Sequence, residues 1–255
     1  MLWYKSWLET RWRFAGGLVL LLLSAGSTVA LYPEVVRLLP AASNLELQGE
    51  IGRRVAESAE LAHSYRGYVW SQWFRHNMPQ LWTLMAIVLG TGGLLSQAAG
   101  GGALFTLSLP VSRRRLMSVR AAVVAGELLV LALIPAVIFP LLSPGVGESY
   151  AMGDAFVHSA CMFTGGLVFF ALAFLLSSAF GDIWRPLLLA VCVAFVLGLL
   201  EQLSADVARF GVFRVMSGES YFRGNGVPWL GLLASAVVSA VMLSAATRNI
   251  SRQDF

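Results

Sequence analysis

The sequence predicts an all-α integral membrane protein with six transmembrane helices and cytoplasmic termini. Of its 255 residues, 57% are hydrophobic and 13% are charged, and the mean hydropathy is +0.72. Soluble domains carry about 25% charged residues. A bilayer core about 30 Å thick requires about 20 apolar residues in a helix. Six segments meet this length, and together they predict one transmembrane domain over residues 1–255: 14–32, 79–97, 117–142, 156–178, 186–202 and 228–246.

The chain begins with MLWYKSWLETRWRF, a stretch that mixes tryptophans with charged residues. Trp3 and Trp7 share one helical face, and Arg11 and Trp12 add a basic and an aromatic group at headgroup level. This composition predicts an amphipathic helix that lies in the membrane interface. The apolar run that follows has about 18 residues, longer than the 7–15 of a signal peptide core. We therefore expect an uncleaved first span.

The distribution of charge predicts the orientation. Six spans place both termini on one side, and that side has ten basic residues against Glu9, Asp182 and Asp254. The opposite side has eight basic and nine acidic residues. Because short cytoplasmic loops are rich in Lys and Arg, we expect both termini in the cytoplasm. The net charge of +4 is explained by this topology, so we do not expect a nucleic-acid partner. The ten basic residues are Lys5, Arg11, Arg13, Arg113, Arg114, Arg115, Arg120, Arg185, Arg248 and Arg252.

The long outer loop, residues 33–78, contains apolar residues at three- and four-residue spacing. This pattern predicts a helix over about 46–75 that lies on the outer membrane surface or caps the bundle. Trp70, Trp73 and Phe74 would anchor its far end among the headgroups. A second outer loop, 203–227, is long enough to fold over a pathway. The sequence leaves open whether these two loops cover the bundle or gate it.

Glu127 is the ionisable residue expected deepest in the membrane. It lies eight residues beyond Val119, or about 12 Å along a helix, and an ionised group there costs at least about 2.5–3.5 kcal/mol. Arg120 lies two turns earlier on the same face. Glu127 is either a pathway or coupling carboxylate, or a hydrogen-bonded packing residue. By contrast, Glu201 is expected at the outer interface, and His158 is expected to be structural.

The sequence contains no recognisable catalytic motif. Lys5 is the only lysine, so the chain has no GxxxxGK[ST] nucleotide-binding loop, and any ATP would be hydrolysed by another subunit. The two cysteines, Cys161 and Cys192, lie in separate apolar runs and predict neither a disulfide framework nor a zinc site. We expect no enzyme activity, cofactor or metal in this chain. In the last span, Ala236, Ala240 and Ser244 and also Gly231, Ser235 and Ser239 form small-residue stripes that allow close helix packing.

Residues 85–120, MAIVLGTGGLLSQAAGGGALFTLSLPVSRRRLMSVR, resemble permease subunits of ATP-binding-cassette (ABC) transporters of the type-2 exporter class. The element Leu107-Ser108-Leu109-Pro110-Val111-Ser112-Arg113 is similar to the leucine-rich LLSLPVSR element before the third span of that family. Pro110 restricts Leu109 to extended geometry, and Ser112 is a candidate N-cap. Arg113, Arg114 and Arg115 can contact anionic headgroups or acidic groups of a partner.

The resemblance implies a multi-pass permease in a bacterial or archaeal cytoplasmic membrane. It implies a second permease copy or paralogue, membrane lipid and a cytosolic ABC ATPase as partners, with ATP and Mg²⁺ bound by the ATPase. The residues implied to contact the ATPase are Gln97, Gly101, Gly102, Thr106, Leu107, Leu109, Pro110 and Arg113.

The sequence departs from the family at the glycine run. Ser96–Gly102 stands where relatives carry acidic residues and form the coupling helix, and each of its three glycines costs about 1 kcal/mol against alanine in a helix. The coupling helix is therefore expected to be short, shifted or ordered by its partner. Two other functions stay open: a secondary transporter that uses Glu127, and a membrane scaffold or assembly factor.

Overall fold

The computed structural model describes residues 2–43, 59–92, 112–203 and 211–251. These residues form a helical bundle. The long helices are α1 (Leu2–Ser43), α3 (Met78–Gly90), α4 (Arg113–Leu142), α5 (Met152–Ser177), α6 (Trp184–Leu203) and α9 (Trp229–Ser251). The short ones are α2 (Tyr65–Val69), a π-helix (Trp70–Asn77), a 3₁₀-helix (Ser143–Val146), α7 (Val212–Ser217) and α8 (Glu219–Phe222).

Five of these helices are long and apolar enough to span a membrane, within the part of the chain that the structure describes. They support a multi-pass membrane protein. The candidate spans are Leu2–Leu38, Arg113–Val146, Met152–Ser177, Trp184–Leu203 and Trp229–Ser251. Each overlaps a predicted span.

The bundle has two ends that we name by what they contain. The terminal end contains the beginning of α1, the end of α3, the beginning of α4 and the last turn of α9. The loop end contains the π-helix, the connection between α4 and α5, and the short helices α7 and α8. Contacts between neighbouring helices define this arrangement, for example Arg13 with Thr91 at the terminal end and Tyr65 with Ser143 at the loop end.

A helical run over 65–90, made of α2, the π-helix and α3, lies in the middle of the bundle. The Ser64 side chain accepts a hydrogen bond from the Gly67 amide and begins the run. The π-helix ends where the Met78 amide donates to Trp73 O, directly before Pro79. Because proline has no amide hydrogen to donate, this change in hydrogen-bond pattern lets the run continue through Pro79.

α3 packs closely on α5, and small residues make the contact possible. Gly166 of α5 lies against the indole of Trp82, which is fully buried. Gly90 lies against Phe170 and Ala173 of α5. Trp82 Nε1 also donates to Leu128 O of α4 at 3.4 Å. The buried core of the bundle is therefore built where α3, α4 and α5 meet.

α6 and α9 form the outer layer, and both expose mainly apolar side chains. On α9, Ser235 and Ser239 are buried in the bundle, whereas Ala240 and Ser244 face outward. One predicted small-residue stripe thus packs within the chain, and most of the other lies on the exposed face.

The N-terminal segment differs from the predicted interfacial helix. α1 runs without interruption from Leu2 to Ser43, so no separate amphipathic helix precedes the span. Ser6 and Thr10 are buried, which shows that the first turns pack on the bundle. The predicted interface anchors Trp3, Trp7 and Trp12 are exposed.

The predicted outer helix over 46–75 also differs from the structure. Residues 46–58 lie outside the described part, and a turn at His63–Ser64 separates what precedes it from the 65–90 run. Trp70, Trp73 and Phe74 are at most 1% exposed. They belong to the core and are not headgroup anchors, because the helix that carries them enters the bundle and does not lie on its surface.

Candidate functional site

The residues predicted to contact an ATPase fall mostly outside the described part of the chain. Gln97, Gly101, Gly102, Thr106, Leu107, Leu109 and Pro110 lie there, within 93–111. Arg113 is the first residue of α4. Ser112 caps that helix, as predicted, because its side chain accepts a hydrogen bond from the Arg115 amide.

A polar cluster lies at the terminal end, at the exit of α3. Two arginines converge there on one backbone carbonyl, that of Thr91, which is the C-cap of α3. Arg13 Nη1 donates to Thr91 O at 3.2 Å and to Val88 O at 3.0 Å. Arg120 Nη2 donates to the same Thr91 O at 3.3 Å. We call Arg13, Arg120 and the Thr91 carbonyl the arginine clamp.

The clamp joins three helices, and its arginines supply hydrogen-bond donors to carbonyl groups at the end of α3. The last four carbonyls of a helix have no partner within that helix, and cations near a helix C-terminus are favourable. Arg13 belongs to α1 and Arg120 to α4, so both helices hold the C-terminus of α3. The clamp therefore fixes the position of the chain directly before residues 93–111.

Acidic side chains of the first helix complete the cluster. Glu9 Oε2 accepts from Arg120 Nη1 at 3.4 Å, and Glu9 Oε1 lies 3.9 Å from Lys5 Nζ. The exposed fraction of the side chain rises from 12% for Arg120 to 29% for Glu9 and 33% for Lys5. The cluster thus extends from the bundle interior to its surface.

Glu127 lies at the buried limit of this cluster. Its side chain is 6% exposed, and Thr10 Oγ1 donates to its Oε1 at 2.6 Å. The charges of Arg120 and Glu127 also interact, as do those of Arg120 and Glu9. α1 and α4 are therefore joined at two levels, by Glu9 with Arg120 and by Thr10 with Glu127.

Sequence reasoning identified Glu127 and Arg120 but missed their partners. Ser6, Glu9, Thr10 and Arg13 recur at three- and four-residue spacing along the first helix. That spacing places a polar stripe along one face of the helix. This stripe could have been recognised from the sequence. A helix that lies flat in the interface would expose the stripe to water, whereas a helix that packs on the bundle needs buried partners for it.

A second polar cluster ties the loop end together around Asp154. Arg66 Nε lies 2.6 Å from Asp154 Oδ2, and the Tyr221 hydroxyl donates to Asp154 Oδ1 at 2.8 Å. The hydrogen bond with Asp154 raises the pKa of Tyr221, because ionisation of the phenol would place two negative charges together. Asp154 therefore connects α2 and α8 to the first turn of α5.

Aromatic stacking reinforces this connection. Trp70 stacks on Phe222 with ring centroids 4.1 Å apart and an angle of 3° between the planes. Trp70 Nε1 and His158 Nδ1 both contact Ser217 O, at 3.1 and 3.0 Å. His158, expected to be structural, is fully buried and stacks on Phe74. The loop 211–228 is thus attached to the bundle by side chains from two helices.

Glu201 caps a short helix. Its carboxylate accepts backbone hydrogen bonds from Val212, Phe213 and Arg214 at the beginning of α7, with Phe213 N at 3.1 Å from Oε1. Gly211 lies so close to this carboxyl group that a β-carbon there would collide with it. Backbone amides of α7 therefore stabilise the carboxylate of Glu201.

The remaining candidates are dispersed. Arg11 lies over the ring of Trp12, with its guanidinium carbon 5.3 Å from the ring centroid, at the exposed beginning of α1. Cys161 is buried and Cys192 is exposed on α6. The described ranges contain no group of three His, Cys, Asp or Glu side chains that could hold a metal ion.

No family model, curated protein or solved structure matches this chain.

Proposed function

We propose that this chain is the membrane-spanning permease subunit of an ATP-driven ABC exporter of the type-2 class. In this proposal a separate cytosolic ATPase binds ATP and Mg²⁺, and the chain pairs with a second copy or a paralogue in a cytoplasmic membrane. The observation that carries the proposal is the arginine clamp. It holds the chain where residues 93–111 begin, and these residues contain the segment whose sequence resembles the family.

The clamp supports a role in transmitting motion. Residues 93–111 connect Thr91 to Ser112, and both flanking positions belong to helices that contact α1. A push by the ATPase on 93–111 would therefore reach α1, α3 and α4 together. Alternating access by rigid-body motion requires helices that move as such a unit.

The proposal includes six membrane crossings with both termini in the cytoplasm. The 65–90 run supplies the sixth, since it follows α4 along its length: the Tyr65 hydroxyl lies 2.7 Å from Ser143 Oγ at one end, and Thr91 meets Arg120 at the other. If α4 crosses the membrane, the 65–90 run crosses it as well. The exposed apolar faces of α6 and α9 would then face lipid or the second permease subunit.

Copurification with an ATPase tests the proposal. The tagged chain, isolated from its own cells in lipid nanodiscs, should retain a subunit that contains a GxxxxGK[ST] loop and hydrolyses MgATP. Replacing residues 107–113 with a Gly/Ser linker should abolish that association. A Gly/Ser linker of matched design over 223–226, at the loop end, should leave it intact.

The alternatives make different predictions for copurification or for transport. A secondary transporter would carry out uptake or efflux driven by an ion gradient, without an ATPase subunit. A scaffold would retain an ATPase, but substrate distribution would not change when the chain is deleted. Retention of the ATPase by the 107–113 linker variant would show that this segment is not the coupling surface.

A further inference from the structure

Glu127 has one carboxylate oxygen that the rest of the described structure does not satisfy. Oε1 accepts the hydrogen bond from Thr10, whereas Oε2 is buried and has no hydrogen-bond partner among the described residues. The same holds for Ser6 Oγ, one turn before Thr10 on α1. Leaving a buried charged acceptor unpaired costs the full desolvation free energy of the charged group, which is larger than that of a neutral group. A proton on Oε2 removes the charge and the part of the cost that comes from it.

The charges around Glu127 come from its own helix and from α1. Arg120 acts on it from two turns away but already donates to Glu9 and to Thr91 O. Arg13 donates to the carbonyls of α3, and Lys5 lies beyond Glu9. The other described helices that pack on α4 place no charge beside it: α3 contains no titratable side chain, α5 has Asp154 and His158 at the loop end, and α9 has Arg248 in its last turn at the terminal end.

The surroundings of Glu127 are polar in one direction and apolar in the other. Toward the terminal end, Arg120 and Glu9 form a series of polar groups of increasing exposure. Toward the loop end, Leu131 is fully buried and Ile134 is 8% exposed. Protons can therefore reach Glu127 from the Glu9 end, and the helix core closes the opposite route.

We propose that Glu127 is a proton-binding site of this chain, exchanging its proton with water at the Glu9 end of the bundle. The proton adds to Oε2 and neutralises the carboxylate, while Thr10 continues to donate to Oε1, which then has carbonyl character. Proton binding leaves Arg120 with Glu9 as its acidic partner, so it changes how α1 and α4 are held. This inference goes beyond the proposed export function and does not depend on an ATPase partner.

Infrared difference spectroscopy on the purified full chain in nanodiscs tests the proposal without an activity assay. Spectra at about pH 5 and about pH 9 bracket the range in which a perturbed carboxyl group exchanges its proton. We expect the wild-type difference spectrum to contain a protonated-carboxyl C=O band that Glu127→Gln lacks. Glu201→Gln, which alters a half-buried carboxyl group of similar chemistry, should retain the band.

A second variant keeps the test decisive if Glu127→Gln does not fold. Thr10→Val leaves the carboxyl group in place but removes the donor to Oε1, so the C=O band should move to higher frequency. A band that is unchanged in Glu127→Gln, or unmoved in Thr10→Val, would overturn the assignment. Absence of any pH-dependent carboxyl band in the wild-type chain would also overturn it.

Discussion

Arg120 shows why residue type matters in the terminal-end cluster. One of its terminal nitrogens donates to Glu9 and the other to the Thr91 carbonyl, 3.4 and 3.3 Å away. A planar guanidinium can direct two donors to two acceptors at once, whereas a lysine ammonium is a point charge on a flexible chain. The connection between α1, α3 and α4 therefore depends on an arginine at this position.

We predict that Arg120→Lys weakens the bundle although the charge is retained. Hydrogen bonds to charged groups contribute about 1.5–3 kcal/mol, and we expect a loss of about 1–2 kcal/mol in the free energy of unfolding. Thermal unfolding in detergent measures it. The matched control is Arg115→Lys, an exposed arginine on the same helix, which should unfold like the wild type. Equal stability of all three proteins would contradict the clamp.

The hydroxyl group of Tyr150 lowers the stability of the folded state. The side chain is 6% exposed, and its hydroxyl is buried without a hydrogen-bond partner in the described part of the chain. Burial raises the pKa of this phenol above its ordinary value of 10.0, because the charged form is poorly solvated. The folded state thus holds the phenol proton more tightly than the unfolded state does.

We predict that Tyr150→Phe is neutral or stabilising at pH 7, by up to about 1 kcal/mol, since removing an unpaired buried polar group relieves its desolvation cost. Above pH 10 the phenol of the unfolded state ionises while that of the folded state stays protonated. The free energy of unfolding of the wild type is therefore unaffected by this group below pH 10 and falls as the pH rises above it. The variant should therefore lose less stability than the wild type in alkali. Unfolding curves at neutral and alkaline pH measure both effects.

Tyr68→Phe is the control for this prediction. Its hydroxyl donates to Thr28 O at 2.9 Å, so the same substitution there removes a hydrogen bond and should cost about 1 kcal/mol. If Tyr150→Phe destabilised the chain as much as Tyr68→Phe, the hydroxyl of Tyr150 would have a partner.

At the scale of elements, the contact between α3 and α5 depends on a glycine. Gly166 lies against the indole ring of Trp82, and any β-carbon at this position would overlap ring atoms. Trp82 is fully buried, so it cannot swing away without disturbing the core. Close packing of membrane helices commonly uses small residues in this way.

We predict that Gly166→Ala destabilises the chain by about 1–3 kcal/mol, the usual cost of overpacking a core. Gly153→Ala on the same helix is the control, because no atom lies within 4 Å of the position that a β-carbon would take there. The midpoint of thermal unfolding should fall for the first variant and stay close to wild type for the second. Because alanine favours a helix over glycine, helix propensity cannot lower the midpoint, and a fall of equal size in both variants would show that the loss does not come from the contact with Trp82.

The elements that sequence reasoning predicted well are those defined by apolar length. α4, α5, α6 and α9 begin and end within a few residues of the predicted spans, because bilayer thickness sets their length. The predicted span 14–32 lies within α1, but the continuation of α1 beyond this span and the burial of the 65–90 run were not predicted, because both depend on tertiary packing. Tryptophans and phenylalanines are equally suited to headgroups and to a core, so Trp70 and Phe74 could not be placed by composition. Likewise, the sequence does not show that Arg120 and Arg13 share the carbonyl of Thr91.

At the scale of the whole molecule, the chain has a distinct chemistry at each end. The terminal end is organised by arginines on a helix C-terminus, with Glu127 at the buried limit of that cluster. The loop end is organised by Asp154 and by stacked aromatic rings such as Trp70 and Phe222. The loop-end segments that the structure describes are attached to the bundle by these contacts. Opening there would require breaking the pair of Arg66 and Asp154.

The number of membrane crossings is the property on which the proposed function depends, and it can be measured directly. His63 and Asn225 are exposed at the loop end, and Arg114 and Ser251 are exposed at the terminal end. We predict that single cysteines at these four positions, in a chain with Cys161 and Cys192 replaced by alanine, divide into two pairs. His63→Cys and Asn225→Cys should react with a membrane-impermeant maleimide from one side of the membrane, and Arg114→Cys and Ser251→Cys from the other.

The pair that decides the result is His63→Cys and Arg114→Cys, because the 65–90 run and residues 93–111 lie between the two positions. A crossing by this run places them on opposite sides, since the run follows α4 from Ser143 to Arg120. Reaction of both from the same side would leave five crossings and put the two termini on opposite sides. In that case the first turns of α1 and the last turn of α9 could not both face the compartment in which the proposed ATPase would bind.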